Sequence, residues 1–318
     1  MTQDEGRPAG YRHVGHVRTA DEDVVAVVAS FLDRVSAAGD RVVIACPEPV
    51  AGLLARAFDG VYVLEPEPVD ARPATVVAEL VRLVDGALPD DGSRLQLVTA
   101  VQQPANGWAG WMQTEALLNH VLADRPVDQL CLLGPGADDA HPPGPADVTV
   151  ATHPWLMVDG EPARNPGYRE PAEVVAELQH SRVPDPIEST EPALALLDLD
   201  DLRSLRRSIA RVLADSALSD DAAQDFVLAI DEIVANAAEH GVPPVDVRLW
   251  CGRDRLLCSI TDHGTCFDDP LAGYGPAHGD MAVGGMGLWL ARRSVDDLVA
   301  SPTRESGEGC TVRLVVRA

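Results

Sequence analysis

The first half of the chain alternates between short apolar runs and longer segments whose apolar residues recur every three to four positions. The apolar runs, which predict strands, cover residues 41–46, 61–66, 94–101 and 127–133. The periodic segments, which predict helices, cover residues 21–40, 49–60, 73–88, 111–124 and 171–181. This alternation predicts an α/β layered domain with a largely parallel sheet. Residues 134–147 are rich in Gly and Pro and predict a loop.

The second half has a different order of elements. Two long amphipathic helices are predicted first, at 199–218 and 219–241, with Ser219 as the N-cap of the second. Residues 245–251 and 255–262 alternate apolar and polar positions and predict a hairpin. A helix at 287–298 and a strand at 310–317 follow. Helices beside an antiparallel or mixed sheet predict an α+β two-layer domain.

Length and composition agree with two folded domains. The chain has 318 residues, of which 46% are hydrophobic, enough for two cores of ordinary size. Residues 182–192 combine Pro with charged residues, which predicts a linker between a domain at 1–181 and a domain at 193–318.

Charge and cysteine content restrict the class of protein. The formal net charge of −25 repels phosphate backbones, so we expect no direct binding of nucleic acid. No apolar run is long enough for a membrane helix and no leader is recognised, so we expect a cytoplasmic protein. The six cysteines form no CxxC pair, so we expect them to be reduced, without a zinc site or a disulfide framework.

The helix predicted at 219–241 carries polar residues at helical spacing. Its apolar residues form one stripe, while Glu232, Asn236 and His240 follow one another at intervals of four on the far side. Taken alone, this face is more typical of a solvated surface than of a site.

Two further patterns change this interpretation. Asp262 ends a predicted strand, and Gly264 follows two residues later, so a carboxylate acceptor lies where a flat amine can approach closely. Gly284, Gly285 and Gly287 begin a helix, where free backbone N–H groups favour a phosphate. The glycines match neither a Walker A loop nor a Rossmann fingerprint.

In this order, "DEIVANAAEHG", "DHG" and "GGMGL" resemble the three nucleotide-binding blocks of the GHKL ATPase superfamily. Within it, the compact domain is similar to the anti-sigma-factor serine kinases of bacteria. The resemblance covers about residues 193–318 and includes the start of a lid at 267–274 and the closing strand "GCTVRLVV".

The resemblance implies ATP and Mg²⁺ as cofactors and assigns roles by position. Asn236 would supply an amide oxygen to Mg²⁺, and Glu232 would be the general base that takes a serine hydroxyl proton. Asp262 would accept from the adenine amine, and Gly264 would admit the ring.

Other positions of the blocks complete the assignment. Gly285 and Gly287 would hold the phosphates, and Thr311 is assigned to the nucleotide site. Two residues depart from the family pattern: Cys266 replaces a second glycine, and Cys310 occupies the usual threonine position, one residue before Thr311.

The first half is similar, in patches over residues 11–170, to the MEDS sensory domain of actinobacterial anti-sigma regulators. The similar segments are "YRHVGHV", "EALLNHVLADRPVDQLCLL" and "THPWLMVDGEPARNPGY". Thr114 replaces the usual histidine of that group, and residues 134–136 replace its Pro-Tyr-Asp turn. The resemblance implies a small ligand for this domain. His13, His16, His120 and His153 have no metal-ligand spacing, and we expect most to be surface or satisfied core residues.

The leading hypothesis is an anti-sigma regulator that binds a sigma factor and uses Mg-ATP to phosphorylate a STAS-type anti-sigma antagonist on serine. The N-terminal sensory domain would modulate it, and the resemblance allows a homodimer. Two alternatives stay open: a non-catalytic ATP-binding partner switch and a histidine kinase. The only sequence feature in favour of a histidine kinase is "HSRVP" at 180–184. The sequence does not identify the sigma factor, the antagonist or the sensory ligand.

Overall fold

The chain divides into two compact units, residues 1–178 and 179–318. The structure is a computed structural model, and it describes residues 10–19, 23–37, 39–64, 72–104, 107–134, 143–180, 185–199, 201–214, 216, 218–275, 286–303 and 308–317. Among the described residues, no helix is both long enough and apolar enough to span a lipid bilayer.

The first unit alternates strands and helices. Its elements are, in chain order, β1 (Arg12–Val17), α1 (Val24–Val35), β2 (Arg41–Ala45), α2 (Val50–Ala57), β3 (Tyr62–Val63), α3 (Pro73–Ala87), β4 (Leu95–Val101), α4 (Gly107–Val121), β5 (Val127–Leu133), α5 (Pro145–Thr152), β6 (Trp155–Val158), β7 (Glu161–Arg164) and α6 (Pro171–His180). Asp23 caps α1 by accepting from the amides of Val25 and Ala26.

The strands of this unit form one seven-stranded sheet in the order β3-β2-β4-β5-β1-β6-β7. All neighbouring strands are parallel except β6 and β7, which form an antiparallel hairpin. The strand predictions at 41–46, 94–101 and 127–133 coincide with β2, β4 and β5. The inner strand β1, between β5 and β6, was not predicted from the sequence.

Helices pack on both faces of this sheet. Residues of α1 and α2 form one apolar core with Val14, Val98 and Leu130. Side chains alternate along a strand, so His13, Gly15 and Cys131 point to the opposite face, where α4 and α5 pack. This alternation places His13 and Cys131 on the face that α4 and α5 cover.

One loop prediction in this unit ends too late. The loop predicted at 134–147 overlaps α5, which begins at Pro145. Proline is compatible with the first turn of a helix, where its missing N–H has no intrahelical partner. Asp147 also accepts from the amide of Gly144 and so stabilises this helix start. Residues 135–142 of the loop lie outside the described residues.

The second unit has long helices and an antiparallel sheet. Its elements are a short 3₁₀ helix (Pro186–Ser189), β8 (Leu194–Leu196), α7 (Leu202–Leu213), α8 (Asp220–His240), β9 (Asp246–Cys251), β10 (Arg255–Asp262), α9 (Met286–Ser294), β11 (Asp297–Pro302) and β12 (Cys310–Arg317). The strand order is β11-β12-β10-β9-β8, and every neighbouring pair is antiparallel. The hairpin of β9 and β10 is therefore confirmed.

The helices of this unit cover one face of the sheet. The core contains apolar residues of α7, α8 and α9 together with alternate residues of the strands, among them Leu256, Cys258 and Ile260 of β10. The helix predicted at 287–298 is too long. It ends at Ser294, and Asp297 begins β11, which pairs with β12 and buries Leu298.

Most of the segment predicted as a linker packs on the second unit. Asp185 accepts two hydrogen bonds from Arg255, at 2.7 and 2.8 Å, and Glu188 accepts from Arg313. The Trp250 indole N–H donates to the Thr190 carbonyl. The hydrogen bonds from Arg255 lower the pKa of the Asp185 carboxyl. Residues 181–184 lie outside the described residues.

Candidate functional site

The helix α8 is stabilised at its start and along one face. Ser219 accepts a hydrogen bond from the amide of Ala222, as predicted for an N-cap, and two aspartates in the first turn suit the positive end of the helix dipole. The predicted apolar stripe is confirmed, and its buried residues are Phe226, Ala229, Ile230, Ile233, Val234 and Ala237.

Glu232 and Asn236 project from α8 toward the start of α9 and are partly buried. A Cβ built on Gly287 would lie 2.5 Å from Glu232 Oε2 and 3.6 Å from Asn236 Oδ1. The structure therefore brings these three predicted residues together. Their closeness depends on glycine at position 287, because any side chain there would occupy the same space.

Asp262 lies at the far end of the same helix. Residues 256, 258, 260 and 262 alternate onto the face of β10 that the helices cover, so the Asp262 carboxylate points toward the end of α8. Asp262 Oδ1 accepts from the amides of Gly264, at 2.6 Å, and Val242, at 3.4 Å. Within the described residues, Oδ2 has no hydrogen-bond partner, so this oxygen is available to a ligand.

Gly264 and Gly241 allow this arrangement of Asp262. A Cβ on Gly264 would lie 2.8 Å from Asp262 Oδ1, and one on Gly241 would lie 2.6 Å from Asp262 Cγ. A cavity of about 210 Å³ opens beside the aspartate and is lined by Thr261, Asp262, His263, Thr303, Glu308 and Gly309. Its volume is below the range of about 300–1,000 Å³ that is usual for ligand pockets.

Arg292 anchors the start of the predicted lid and was missed by the sequence reasoning. Its guanidinium, although buried, donates to the Ala272 carbonyl and the Tyr274 hydroxyl, each at 2.8 Å, and to the Leu298 carbonyl. Burial lowers the pKa of this guanidinium. A Cβ on Gly273 would lie 2.6 Å from Leu288 Cγ, so the segment also packs closely on α9.

Cys266 and Cys310 are joined by a disulfide, which corrects the prediction that all cysteines are reduced and that no disulfide forms. The bond joins the two positions at which this sequence departs from the family pattern. Cys310 faces Asp262 across the paired strands, and Cys266 follows four residues after Asp262, so their Cα atoms lie 4.6 Å apart. The other four cysteines are free.

Thr311, predicted to belong to the nucleotide site, lies beside Thr261 rather than beside Asp262. In the register of β10 and β12, Thr311 pairs with Thr261 and Cys310 pairs with Asp262, so the Thr311 side chain points to the face opposite Asp262. Its hydroxyl contacts those of Thr261 and Thr303, at 3.0 and 2.8 Å. The one-residue offset seen in the sequence is the physical reason.

Two other sequence predictions have different outcomes. Gly285, assigned to the phosphates, lies outside the described residues, as does Gly284. His240 ends α8 and is exposed, in line with a structural rather than a catalytic role. The described part of the site is therefore Glu232, Asn236, Asp262, Gly264 and Gly287.

The second unit is thus a sheet covered on one face by helices, with an amide and a carboxylate against a helix-start glycine. Residues 196–316 match the family described as Histidine kinase-like ATPase domain. The second unit thus contains a GHKL-type ATPase domain. No curated protein matches the chain.

Proposed function

We propose that the second unit binds Mg-ATP between α8, α9 and the end of β10. The arrangement of Glu232 and Asn236 against Gly287, with Asp262 at the other end, carries the proposal. The described residues fit such a ligand: Asp262 Oδ2 is an available acceptor, and the space that a Cβ would fill at position 287 admits a close approach.

Each residue has a role that its chemistry supports. Asn236 offers an uncharged amide oxygen, which a hard cation such as Mg²⁺ binds. Asp262 accepts a hydrogen bond from an adenine amine, and Gly264 leaves the approach to it open. Mg-ATP, when bound, supplies the phosphoryl group. Glu232 takes the proton from an attacking hydroxyl, since its carboxylate lies on the same side of α8 one turn before Asn236.

We further propose that the acceptor is a serine of a STAS-type anti-sigma antagonist and that the same unit binds a sigma factor, in the cytoplasm. The resemblance of the nucleotide-binding blocks to anti-sigma serine kinases supports this step. The strongly acidic chain, with a net charge of −25, suits a partner with a basic surface. The first unit would modulate the exchange of partners.

The test is phosphate transfer from Mg-ATP to candidate antagonists, with three variants of α8. Glu232→Ala is expected to keep nucleotide affinity and to lower transfer by about 10²–10⁴-fold, the usual contribution of a general base. Asn236→Ala is expected to lose Mg²⁺-dependent nucleotide binding. Glu239→Ala, an exposed carboxylate on the same helix, is the matched control and is expected to change neither. Undiminished transfer by Glu232→Ala would refute the catalytic assignment.

A second candidate function, a non-catalytic ATP-binding partner switch, is favoured by the disulfide. The Cys266–Cys310 bond ties the residues that follow Asp262 to β12 in a way that departs from the family pattern. This candidate predicts ATP-dependent partner affinity without phosphate transfer to any antagonist. A histidine kinase has less support, because its candidate, His180, ends α6 and the rest of "HSRVP" lies outside the described residues. A stain for acid-labile phosphate separates it from the others.

A further inference from the structure

Four side chains with metal-ligand chemistry meet inside the first unit. His13 comes from β1, Cys131 from β5, Glu115 from α4, and His153 follows α5 directly. All four residues are buried, with 2% exposure or less. His13 and His153, which have no metal-ligand spacing in the sequence, are brought together by the sheet.

The ligand atoms of these residues are close to one another. His13 Nε2 lies 3.1 Å from both Glu115 Oε2 and Cys131 Sγ. Glu115 Oε2 lies 3.7 Å from Cys131 Sγ and 3.8 Å from His153 Nε2. All four ligand atoms lie within 4.8 Å of one another. The four atoms come from four different segments of the chain and lie around a common centre.

Hydrogen bonds to the outer ring nitrogens fix the tautomers of both histidines. Asn119 donates its amide N–H groups to two carbonyls, so its Oδ1 accepts from His13 Nδ1 at 3.1 Å. His153 Nδ1 donates to the Thr149 carbonyl at 3.2 Å. In the neutral tautomers, both Nε2 atoms therefore present lone pairs to the centre of the cluster.

The centre of the cluster holds more acceptors than donors. Cys131 Sγ is approached by the Gln129 amide and the Thr99 hydroxyl, at 3.0 and 3.3 Å, and so acts as an acceptor there. The Cys131 thiol proton can form a hydrogen bond to only one of the neighbouring acceptors, so the other acceptors are left without a donor. Among the described residues, the buried Nε2 of His153 has no hydrogen-bond partner. Such a group is rare in a protein interior because it costs free energy.

We propose that His13, Glu115, Cys131 and His153 bind a divalent transition-metal ion of the Zn²⁺ class. Tetrahedral Zn²⁺ with bonds of about 2.0–2.3 Å places its ligand atoms about 3.3–3.8 Å apart, close to the spacings in the cluster. Two imidazoles, a thiolate and a carboxylate suit an ion of this softness. One carboxylate and one thiolate neutralise the 2+ charge, and binding releases the thiol proton.

Contacts around the cluster hold its side chains in place, as the hydrogen-bond partners of metal-binding residues commonly do. Trp111 donates its indole N–H to the other oxygen of Glu115 at 2.7 Å. A Cβ on Gly15 would lie 2.6 Å from His153 Cγ, so only glycine lets His153 pack against β1. These outer contacts orient the His153 ring and the Glu115 carboxylate toward the centre of the cluster. Because the cluster is buried, we expect the ion to be taken up as the unit folds.

The first experiment uses the full wild-type chain. After expression or refolding with Zn²⁺ and dialysis, elemental analysis is expected to find one equivalent of zinc. X-ray absorption of the bound zinc is expected to show one sulfur at about 2.3 Å and three N or O atoms at about 2.0–2.2 Å. Refolding with Co²⁺ is expected to give a thiolate-to-cobalt band and the visible bands of a tetrahedral ion.

Variants then locate the site, with matched controls from the same unit. Cys131→Ser and His153→Ala are each expected to weaken metal binding by more than about 100-fold. Asn119→Ala, which removes a hydrogen-bond partner of His13 outside the cluster, is expected to weaken metal binding less. Cys46→Ser, a buried thiol outside the cluster, and His120→Ala, on the exposed side of α4, are expected to keep the full equivalent.

The outcomes separate the proposal from its alternative, a buried carboxylate–imidazolium pair of Glu115 and His13 with no metal. A folded wild-type chain that takes up neither zinc nor cobalt overturns the proposal. So does metal that stays bound in the folded Cys131→Ser and His153→Ala chains, or a zinc spectrum without sulfur. If a variant fails to fold, the wild-type absorption spectrum alone decides, because it reports the sulfur directly.

Discussion

Glu115 and Glu232 both lie on helices that pack against a sheet, but their surroundings differ. Glu115 is 1% exposed, and its oxygens contact Trp111, His13 and His153. Glu232 is partly buried and lies against a glycine, Gly287. A sealed carboxylate needs partners that stay with it, whereas one at an open edge is available to a ligand that exchanges. The proposed ion of the first unit would therefore stay bound, whereas the proposed nucleotide of the second unit would exchange.

The strongest test of this contrast removes the sealed carboxylate. Glu115→Ala is expected to lower the free energy of unfolding of the first unit by about 1–3 kcal/mol, because the Trp111 indole N–H and the Cys131 thiol are left buried without this acceptor. Hydrogen exchange of β5 amides measures the loss in the first unit. Glu79→Ala on α3, whose partner Arg82 is exposed, is expected to cost less than about 1 kcal/mol. A similar cost for both variants would contradict the contrast.

In the second unit, a covalent bond ties the residues that follow Asp262 to β12. Replacing both Cys266 and Cys310 by Ser is expected to lower the free energy of unfolding of this unit by about 2–4 kcal/mol, because a 44-residue loop is no longer closed in the unfolded chain. Denaturant unfolding without reductant measures the change. Cys251→Ser, at an exposed free thiol, is the control and is expected to have little effect. Six reactive thiols in the unfolded, unreduced wild type would refute the bond.

Acidification is expected to distinguish the units. Burial lowers the pKa of His153 from 6.5 to about 3, so in the metal-free chain only the unfolded state gains this proton between these values. Stability of the first unit is therefore complete above pH 6.5 and falls below it by about 1.4 kcal/mol per pH unit, toward pH 3. Unfolding at several pH values with a chelator measures this slope. His153→Ala is expected to remove it, and an unchanged slope would contradict the assignment.

Two glycines of the first unit sharpen the contrast between packed and open positions. Gly15→Ala is expected to cost about 1–3 kcal/mol, because the added methyl group meets the ring of His153. Gly86→Ala on α3, where a Cβ would meet no atom within 4 Å, is expected to stabilise by about 0.5–1 kcal/mol. Thermal unfolding compares them directly. Equal changes in the two variants would show that His153 does not require the space at position 15.

Local patterns along one helix or strand were the most predictable part of the fold. The start of α8 at Ser219, its apolar stripe and the hairpin of β9 and β10 follow from capping, periodicity and alternation, which act over a few residues. The boundary of α9 was not predictable in this way. Its helical pattern continues into residues that instead pair with β12 and form β11. Pairing between strands overrides the local preference for helix there.

Contacts between distant segments were the least predictable part of the sites. Glu232 and Asn236 have the spacing of a solvated face, and only the packing of Gly287 shows what covers them. Cys266 and Cys310 are 44 residues apart, and the sequence shows them as two separate departures from a family pattern. His13 and His153 have no spacing to recognise, because the parallel sheet brings β1 beside β6, which begins just after His153.

The bond between Cys266 and Cys310 also decides how the native protein reacts with thiol reagents. Cys266 is only partly buried and would otherwise be accessible, but the bond removes it from the free thiols. Cys46, Cys131 and Cys258 are buried, which leaves Cys251 on β9 as the exposed free thiol. A maleimide dye therefore attaches to the wild-type chain at one defined position. The second unit thus carries a natural attachment point for a fluorescent reporter, with no substitution needed.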